Sequence, residues 1–210
     1  GAGLTLSALC VPLRGGIVLD LKKMDKIIEV NGKSKYAIIE PGVSQGALKS
    51  YLEKYYPHLQ HSTPEAPPTA TVVGNLLIHG HGHLTSMHGV NSKMINGLEV
   101  VLPTGEVCKI GSCSISPDWF TIGPLPDLSG LFTGWLGTTG VVTKAAIQLF
   151  PKPKYRDLMV FTTDDPEILP EVVFRVFQTE VSENFFIIAQ DKPDWMCGHI
   201  YFIIVFTGNS

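Results

Sequence analysis

The sequence is poor in charge, in cysteine and in long apolar runs, and each shortage closes off a class of protein. Only 17% of its 210 residues are charged, 16 basic against 19 acidic, for a formal net charge of -3. There is therefore no basic excess of the kind that grips phosphates along a nucleic acid. With 44% hydrophobic residues, the same scarcity of charge sets the chain among globular, core-forming sequences and apart from disordered ones. Four cysteines, Cys10, Cys108, Cys113 and Cys197, show neither a C-x-x-C pair nor metal-type spacing. They read as buried free thiols of a reducing compartment. No segment approaches the roughly 20 apolar residues that cross a bilayer, so no membrane span is expected. The apolar stretch Leu4 to Leu13 lacks the preceding basic residues of a signal peptide and is followed by Arg14, which argues against that role.

Glycine, by contrast, is plentiful at 21 residues, and it clusters at Gly1 to Gly3, Gly15-Gly16, Gly74 to Gly89 and Gly130 to Gly140. Close approach of bare backbone to a ligand is one reason for such clustering. Between the clusters, β-branched runs at Ile17 to Leu21, Lys26 to Val30 and Lys35 to Glu40 predict a short antiparallel meander, ended by Pro41-Gly42. Ser44 is placed as the N-cap of a helix whose apolar positions Ala47, Leu48, Tyr51, Leu52 and Tyr55 recur at helical spacing, stopped by Pro57. The proline-rich stretch His58 to Ala70 is expected to be loop. Leu98 to Leu102 and Glu106 to Ile110 flank Pro103-Thr104-Gly105 as a hairpin, and Gly140 to Phe150 reads as a buried strand. Beyond residue 154 glycine nearly disappears and a new order begins: strand Leu158 to Thr162, helix Pro166 to Val181, then strands near Phe185 to Ala189 and Tyr201 to Phe206. A domain boundary is expected at Pro151 to Lys154, giving domains 1 to 153 and 154 to 210. Too few residues follow it for a well-covered sheet.

Three segments carry chemistry. Gly1-Ala2-Gly3-Leu4-Thr5 offers backbone N-H groups that could face a pyrophosphate, although a plain turn explains it equally and the G-x-G-x-x-G fingerprint is absent. From Thr71-Val72-Val73-Gly74-Asn75 through His79-Gly80-His81-Gly82-His83 to Ser86-Met87-His88-Gly89, small residues alternate with side-chain donors, which suits an extended polar ligand. A metal site is the alternative, since His79, His81 and His83 would share one face of an extended strand. Against it, no Asp or Glu occurs between Glu65 and Glu99; histidines held by hydrogen bonds as packing residues are the third reading. Finally, Asp127 to Thr143 predicts a short amphipathic helix, a glycine turn and a strand.

Together these segments resemble the FAD-binding domain of the vanillyl-alcohol oxidase and p-cresol methylhydroxylase superfamily, in particular its glycolate oxidase flavin subunits and D-lactate dehydrogenases. The resemblance covers about residues 1 to 153. It rests on Gly15-Gly16-Ile17-Val18-Leu19-Asp20-Leu21 with Met24, on Pro41-Gly42-Val43, on Thr71 to Asn75 at the family's T-x-G-G segment, and on the glycine and histidine run ending at His83. Val100 to Gly105 matches the V-V-L-P-x-G hairpin. The most specific match is Asp127 to Thr143 to the pattern D-L-x-x-L-F-x-G-x-x-G-T-x-G-V-V-T.

The resemblance implies an α+β fold of the p-cresol methylhydroxylase type. It would comprise the second FAD-binding subdomain, a mixed or antiparallel sheet with flanking helices, followed by the start of an α+β substrate (cap) domain. FAD is the implied cofactor. Its pyrophosphate would lie on Gly1, Gly3, Leu4 and Thr5, its flavin and ribityl chain along Thr71, Gly74, Asn75, Gly82, His83 and Gly89, with Pro64 beside the flavin. Its adenine side would meet Gly140, Val141 and Val142. Val73 stands where the family's first glycine of T-x-G-G is common, which bears on how closely backbone approaches the flavin. Trp135-Leu136 replaces a small and acidic pair and is expected to act on packing.

Implied further are hydride transfer from a hydroxyl-bearing small molecule, most simply a 2-hydroxy acid such as glycolate or D-lactate, and an electron acceptor that is an iron-sulfur protein, a flavoprotein or a quinone. A phenolic alcohol or sugar is the alternative substrate; a metal-dependent hydrolase built on the histidines is the alternative class. The location is expected to be cytoplasmic, or peripheral to a membrane for the full enzyme. Because relatives have a subdomain before the glycine loop and a full substrate domain after it, the sequence is expected to be a fragment, with its catalytic base beyond Ser210.

Overall fold

The computed structural model describes residues 2–4, 10–12, 14–193 and 198–209. They form two compact units: Gly1–Gly82 with Val90–Pro151, and His83–Gly89 with Lys152–Ser210. Nothing in the local sequence marks the excursion of 83–89 into the second unit.

The first unit is built on strands β1 (Ile27–Asn31), β2 (Tyr36–Ile39), β4 (Ile95–Val101), β5 (Val107–Gly111) and β6 (Val141–Gln148), with a small separate pairing of β3 (Leu59–Gln60) and β7 (Phe150–Pro151). The five-stranded sheet runs β1-β2-β6-β4-β5, every neighbouring pair antiparallel. Register decides which side chains meet. Ala37 lies opposite Ile147, Ile38 opposite Ala146, and Ile39 opposite Ala145, so the period-2 alternation of a strand sends Ala37, Ile39, Ala145 and Ile147 to the main core. Tyr36, Ile38 and Ala146 go to the other face, where Cys113 and Trp119 cover them. A β-carbon on Gly97, which sits opposite Ala146, would lie 3.3 Å from Trp119 and from Cys113 Sγ. The indole is seated by two small residues.

The main core is closed by helices α1 (Gln45–Tyr55) and α2 (Val72–Leu77). As expected, Ser44 caps α1, its Oγ accepting from the Ala47 amide at 3.1 Å, and the helix stops two residues before Pro57. Leu48 and Leu52 are its buried stripe. Two expectations fail in this unit. Ile17 to Leu21 is no strand and Ile17 is 97% exposed, leaving the meander two-stranded; β propensity needs a ladder partner and a buried face to act, and β1 pairs only with β2. The helix expected after Asp127 is a single 3-10 turn, Ser129–Leu131, in a segment interrupted by Gly130 and Gly134.

In the second unit, β8 (Tyr155–Thr163), β10 (His199–Asn209) and β9 (Ser182–Asp191) form an antiparallel sheet in that spatial order. Central Ile203 and Val205 are buried. Edge strand β8 is exposed on both faces along nearly its whole length. The expected helix 166–181 is shorter: a 3-10 turn capped by Asp165 leads into α4 (Leu169–Gln178), which stops before Glu180 in a left-handed conformation. The short α3 (Thr85–His88) packs against β9.

Candidate functional site

Thr71 is the N-cap position of α2 and bridges to Ser44, while the Val72 amide donates to Val43 O at 3.0 Å. Val72, Val73 and Leu76 then face the main core, so the half-buried Gly74 and Asn75 lie on the side away from it. This answers the question raised by Val73: its side chain points inward and does not stand between the backbone and a ligand.

After α2 the chain turns tightly. Gly80 N donates to Asn75 O (2.9 Å), Gly80 O accepts from Asn91 N (2.8 Å), and Asn91 Nδ2 donates to Asn75 Oδ1 (2.5 Å). His79 adopts φ +55°, and its Nδ1 is 2.7 Å from Ser92 Oγ. Asn91 and Ser92, which sequence reasoning missed, thus fasten the loop that precedes Gly82; their signal was only two small polar residues ahead of a strand. The three histidines do not line one face of a strand, because 78–84 forms none. Among the described residues no group of three or more His, Cys, Asp or Glu could hold a metal ion.

The glycines divide by what surrounds them. A β-carbon on Gly82 would collide with Ser62 Oγ, one on Gly80 with the Asn75 amide, and one on Gly140 would sit 2.7 Å from Val100 Cγ1 and 3.0 Å from Val101 O. These glycines are required by protein packing. Gly3 and Gly137, at φ +74° and +81°, have no atom within 4 Å of an added β-carbon, so their backbone faces open space. Val141 begins β6 opposite Val101, and Val142, opposite Val100, buries its side chain in the core. Trp135 and Leu136 are both more than half exposed, Trp135 Nε1 donating to Gly130 O at 3.1 Å, so the indole packs within its own glycine-rich segment and not into the core. Leu4 is half-exposed, and Pro64 lies half-buried in the loop, its carbonyl accepting from Ala66 N. Gly1 and Thr5 lie outside the described residues.

His83 and Gly89 belong to the second unit, the other described site residues to the first. There Arg156 makes a two-pronged pair with Glu183, Nε to Oε2 at 2.7 Å and Nη2 to Oε1 at 2.9 Å, and Nη2 is also 3.4 Å from His83 Nε2. Glu183 is only 3% exposed. Its hydrogen bonds raise the guanidinium pKa above its ordinary value, burial opposing. Partial desolvation holds the His88 imidazole, on a residue that is itself exposed, below its ordinary value, with the Glu183 charge opposing. In the amino-acid sequence this pair shows only as a lone acid at the start of an apolar strand.

A group that fits the first unit must satisfy polar atoms as well as approach bare backbone. The buried Thr139 Oγ1 has no hydrogen-bond partner. Thr139 adjoins Gly140 in the closing glycine motif, close in sequence to the open backbone of Gly137. An unpaired hydroxyl near exposed glycine backbone suits a polar, extended ligand better than an apolar one, as in a nucleotide-cofactor domain of α+β architecture.

Comparison with known proteins agrees. Residues 1–111 match the family described as FAD binding domain. The chain belongs to that family, and FAD is its cofactor. It is 34% identical over 161 residues to the flavoprotein subunit of 4-cresol dehydrogenase (hydroxylating) from Pseudomonas putida, covering 74% of this chain and 30% of that protein. It is 28% identical over 184 residues to glycolate oxidase subunit GlcD from Bacillus subtilis (strain 168), covering 86% and 37%. The crystal structure of p-cresol methylhydroxylase with substrate bound superposes with a TM-score of 0.79 at 26% identity, over 93% of this chain and 44% of that one. The chain thus spans well under half the length of these relatives. No helix among the described residues is long and apolar enough to cross a membrane.

Proposed function

We propose that the full-length protein is an FAD-linked oxidoreductase that oxidises a small hydroxyl-bearing molecule, a 2-hydroxy acid such as glycolate or D-lactate, and passes the electrons to an iron-sulfur protein, a flavoprotein or a quinone. The flavin part of this reading is carried by the match of residues 1–111 to the FAD binding domain, with the unpaired Thr139 Oγ1 in the closing glycine motif as a polar atom for the cofactor, and the 2-hydroxy acid by the likeness to glycolate oxidase subunit GlcD. The bound flavin supplies hydride acceptance. This chain's own residues hold and orient it: Gly3 and Leu4, with Gly1 and Thr5, along the pyrophosphate; Thr71, Gly74, Asn75 and Gly82 beneath the flavin, with Pro64 near it; the backbone of Gly140, Val141 and Val142, with the Thr139 hydroxyl, at the adenine side. In this reading residues 1 to 153 are the FAD-binding domain and residues 154 to 210 belong to the substrate domain.

A phenolic substrate is the second reading, favoured by the higher identity to the 4-cresol enzyme. The test is the visible absorption spectrum of the full-length protein purified without added cofactor, then mixed anaerobically with glycolate, D-lactate or 4-cresol. A flavin spectrum bleached by one of them assigns the substrate class. A colourless protein that takes up no FAD sinks the proposal.

A further inference from the structure

The loop behind the glycine and histidine run encloses a recess lined by Gln45, His61, Ser62, Asn75, Asn91 and Gln148, with apolar walls from Val72, Leu76 and Ile147. It has room for about one water-sized body. Most of its polar groups are tied: His61 Nε2 lies 2.9 Å from Gln45 Oε1, and the Asn91 amide group is bound to Asn75. Two are not. Ser62 Oγ and Asn91 Oδ1, on residues 6% and 2% exposed, are buried without a partner. Each would cost free energy if left so, and a polar recess of this size with two to four polar partners is where a resident water is held.

We propose that Ser62 and Asn91, bridged by one bound water in this recess, are positioning residues that fix the Gly80 to Gly82 backbone for the cofactor. The Ser62 hydroxyl donates to the water and the water donates to Asn91 Oδ1. Asn91 holds the loop a second time through its backbone amide on Gly80 O. Gly82 is what lets the two sides close, since a β-carbon there would strike Ser62 Oγ and lie 3.1 Å from Asn91 Nδ2. The inference rests on the reading that this loop lies beneath the flavin.

The test uses the full-length apoprotein titrated with FAD by flavin fluorescence, well below its unfolding midpoint, for wild type, Asn91→Leu, Ser62→Ala and the core control Ile110→Ala. Asn91→Leu is expected to weaken FAD about tenfold or more, the scale on which residues behind a ligand-holding layer act. Ser62→Ala is expected to weaken it several-fold and to lower Tm, because a water-bridged hydroxyl is lost. Ile110→Ala should lower Tm and leave FAD affinity unchanged. If Asn91→Leu does not fold, Ser62→Ala decides alone by sign, because deleting a hydroxyl that has no partner raises Tm. Wild-type affinity in Ser62→Ala, or a raised Tm, overturns the proposal and leaves the flavin reading standing. A wild-type protein that binds no FAD overturns both.

Discussion

The two units reach stability by different means. In the first, the five-stranded sheet is covered on both faces, and register alone sorts its side chains into a large core on one side and the Trp119 cluster on the other. In the second, β8 exposes both faces, the buried described residues are Leu84, Ser182, Glu183 and, at the centre of β10, Ile203 and Val205, and the Glu183 carboxylate is held by Arg156. The difference teaches that apolar patterning marks strands in both units without telling how far each will be buried. The second unit's apolar strands read as convincingly in sequence as the first's, yet Leu158, Val160 and Phe161 stay about half exposed.

Truncation of the core gives the largest contrast. Leu98, fully buried on β4, should cost about 3 kcal/mol as Leu98→Ala, the usual price of a cavity in a packed core. Val160→Ala on β8 should cost within about 0.5 kcal/mol, as exposed substitutions do. Denaturant unfolding of both variants measures this, and equal losses would break the comparison.

Next comes Gly140→Ala. Its β-carbon would meet Val100 Cγ1 and the Val101 carbonyl, and a central strand cannot shift as a surface loop can, so a loss of about 1–3 kcal/mol is expected. Thermal unfolding checks it. An unchanged Tm would mean that Gly140 is kept for the ligand rather than for packing.

In the second unit, Glu183→Gln removes the carboxylate and leaves Arg156 without its counter-charge. A fully buried pair broken this way loses roughly 3–5 kcal/mol. Arg156 is 38% exposed, so water screens it and about 1–2 kcal/mol is the expectation. A variant as stable as wild type would remove the ion pair from the comparison and leave the second unit resting on its few buried side chains, Leu84, Ile203 and Val205 among them.

How far the sequence revealed these differences depends on how local each cause is. The Ser44 cap, the Pro57 stop and the turn at Pro103 to Gly105 were legible because a few adjacent residues determine them. Strand Ile17 to Leu21 was misread because strand formation depends on a partner that local sequence does not name. The candidate site was legible as a motif from Asp127 to Thr143 and as a glycine-rich run, but the run hid two kinds of glycine, distinguished only by whether another chain segment occupies the β-carbon position. Asn91, Ser62 and the Arg156–Glu183 pair were invisible for the same reason: each acts on residues distant in sequence, Asn91 on Asn75 and Arg156 on Glu183 being separated by 16 and 27.

The smallest effect separates the units by pH. Partial desolvation holds the His88 pKa below its ordinary value in the folded second unit, so the unfolded chain takes up a proton first as pH falls. The sign follows: the contribution is complete above the unfolded value of about 6.5 and is lost as pH drops from there to the lower folded value. In the first unit the acid effect begins lower. Burial pushes the Glu99 carboxyl up, but Lys144 and Thr143 outweigh it and leave the pKa below its ordinary value, so its contribution is complete above the unfolded carboxylate range of about 4.3 and fades only beneath it. Hydrogen exchange of β9 and β10 amides against β4 and β6 amides, followed from neutral pH down to pH about 5 and corrected for intrinsic rates, should show the second unit losing protection first. His88→Gln should flatten that fall and leave β4 and β6 untouched. If protection in β9 falls equally in the variant, the pH response belongs to another group, and the two units differ in packing alone.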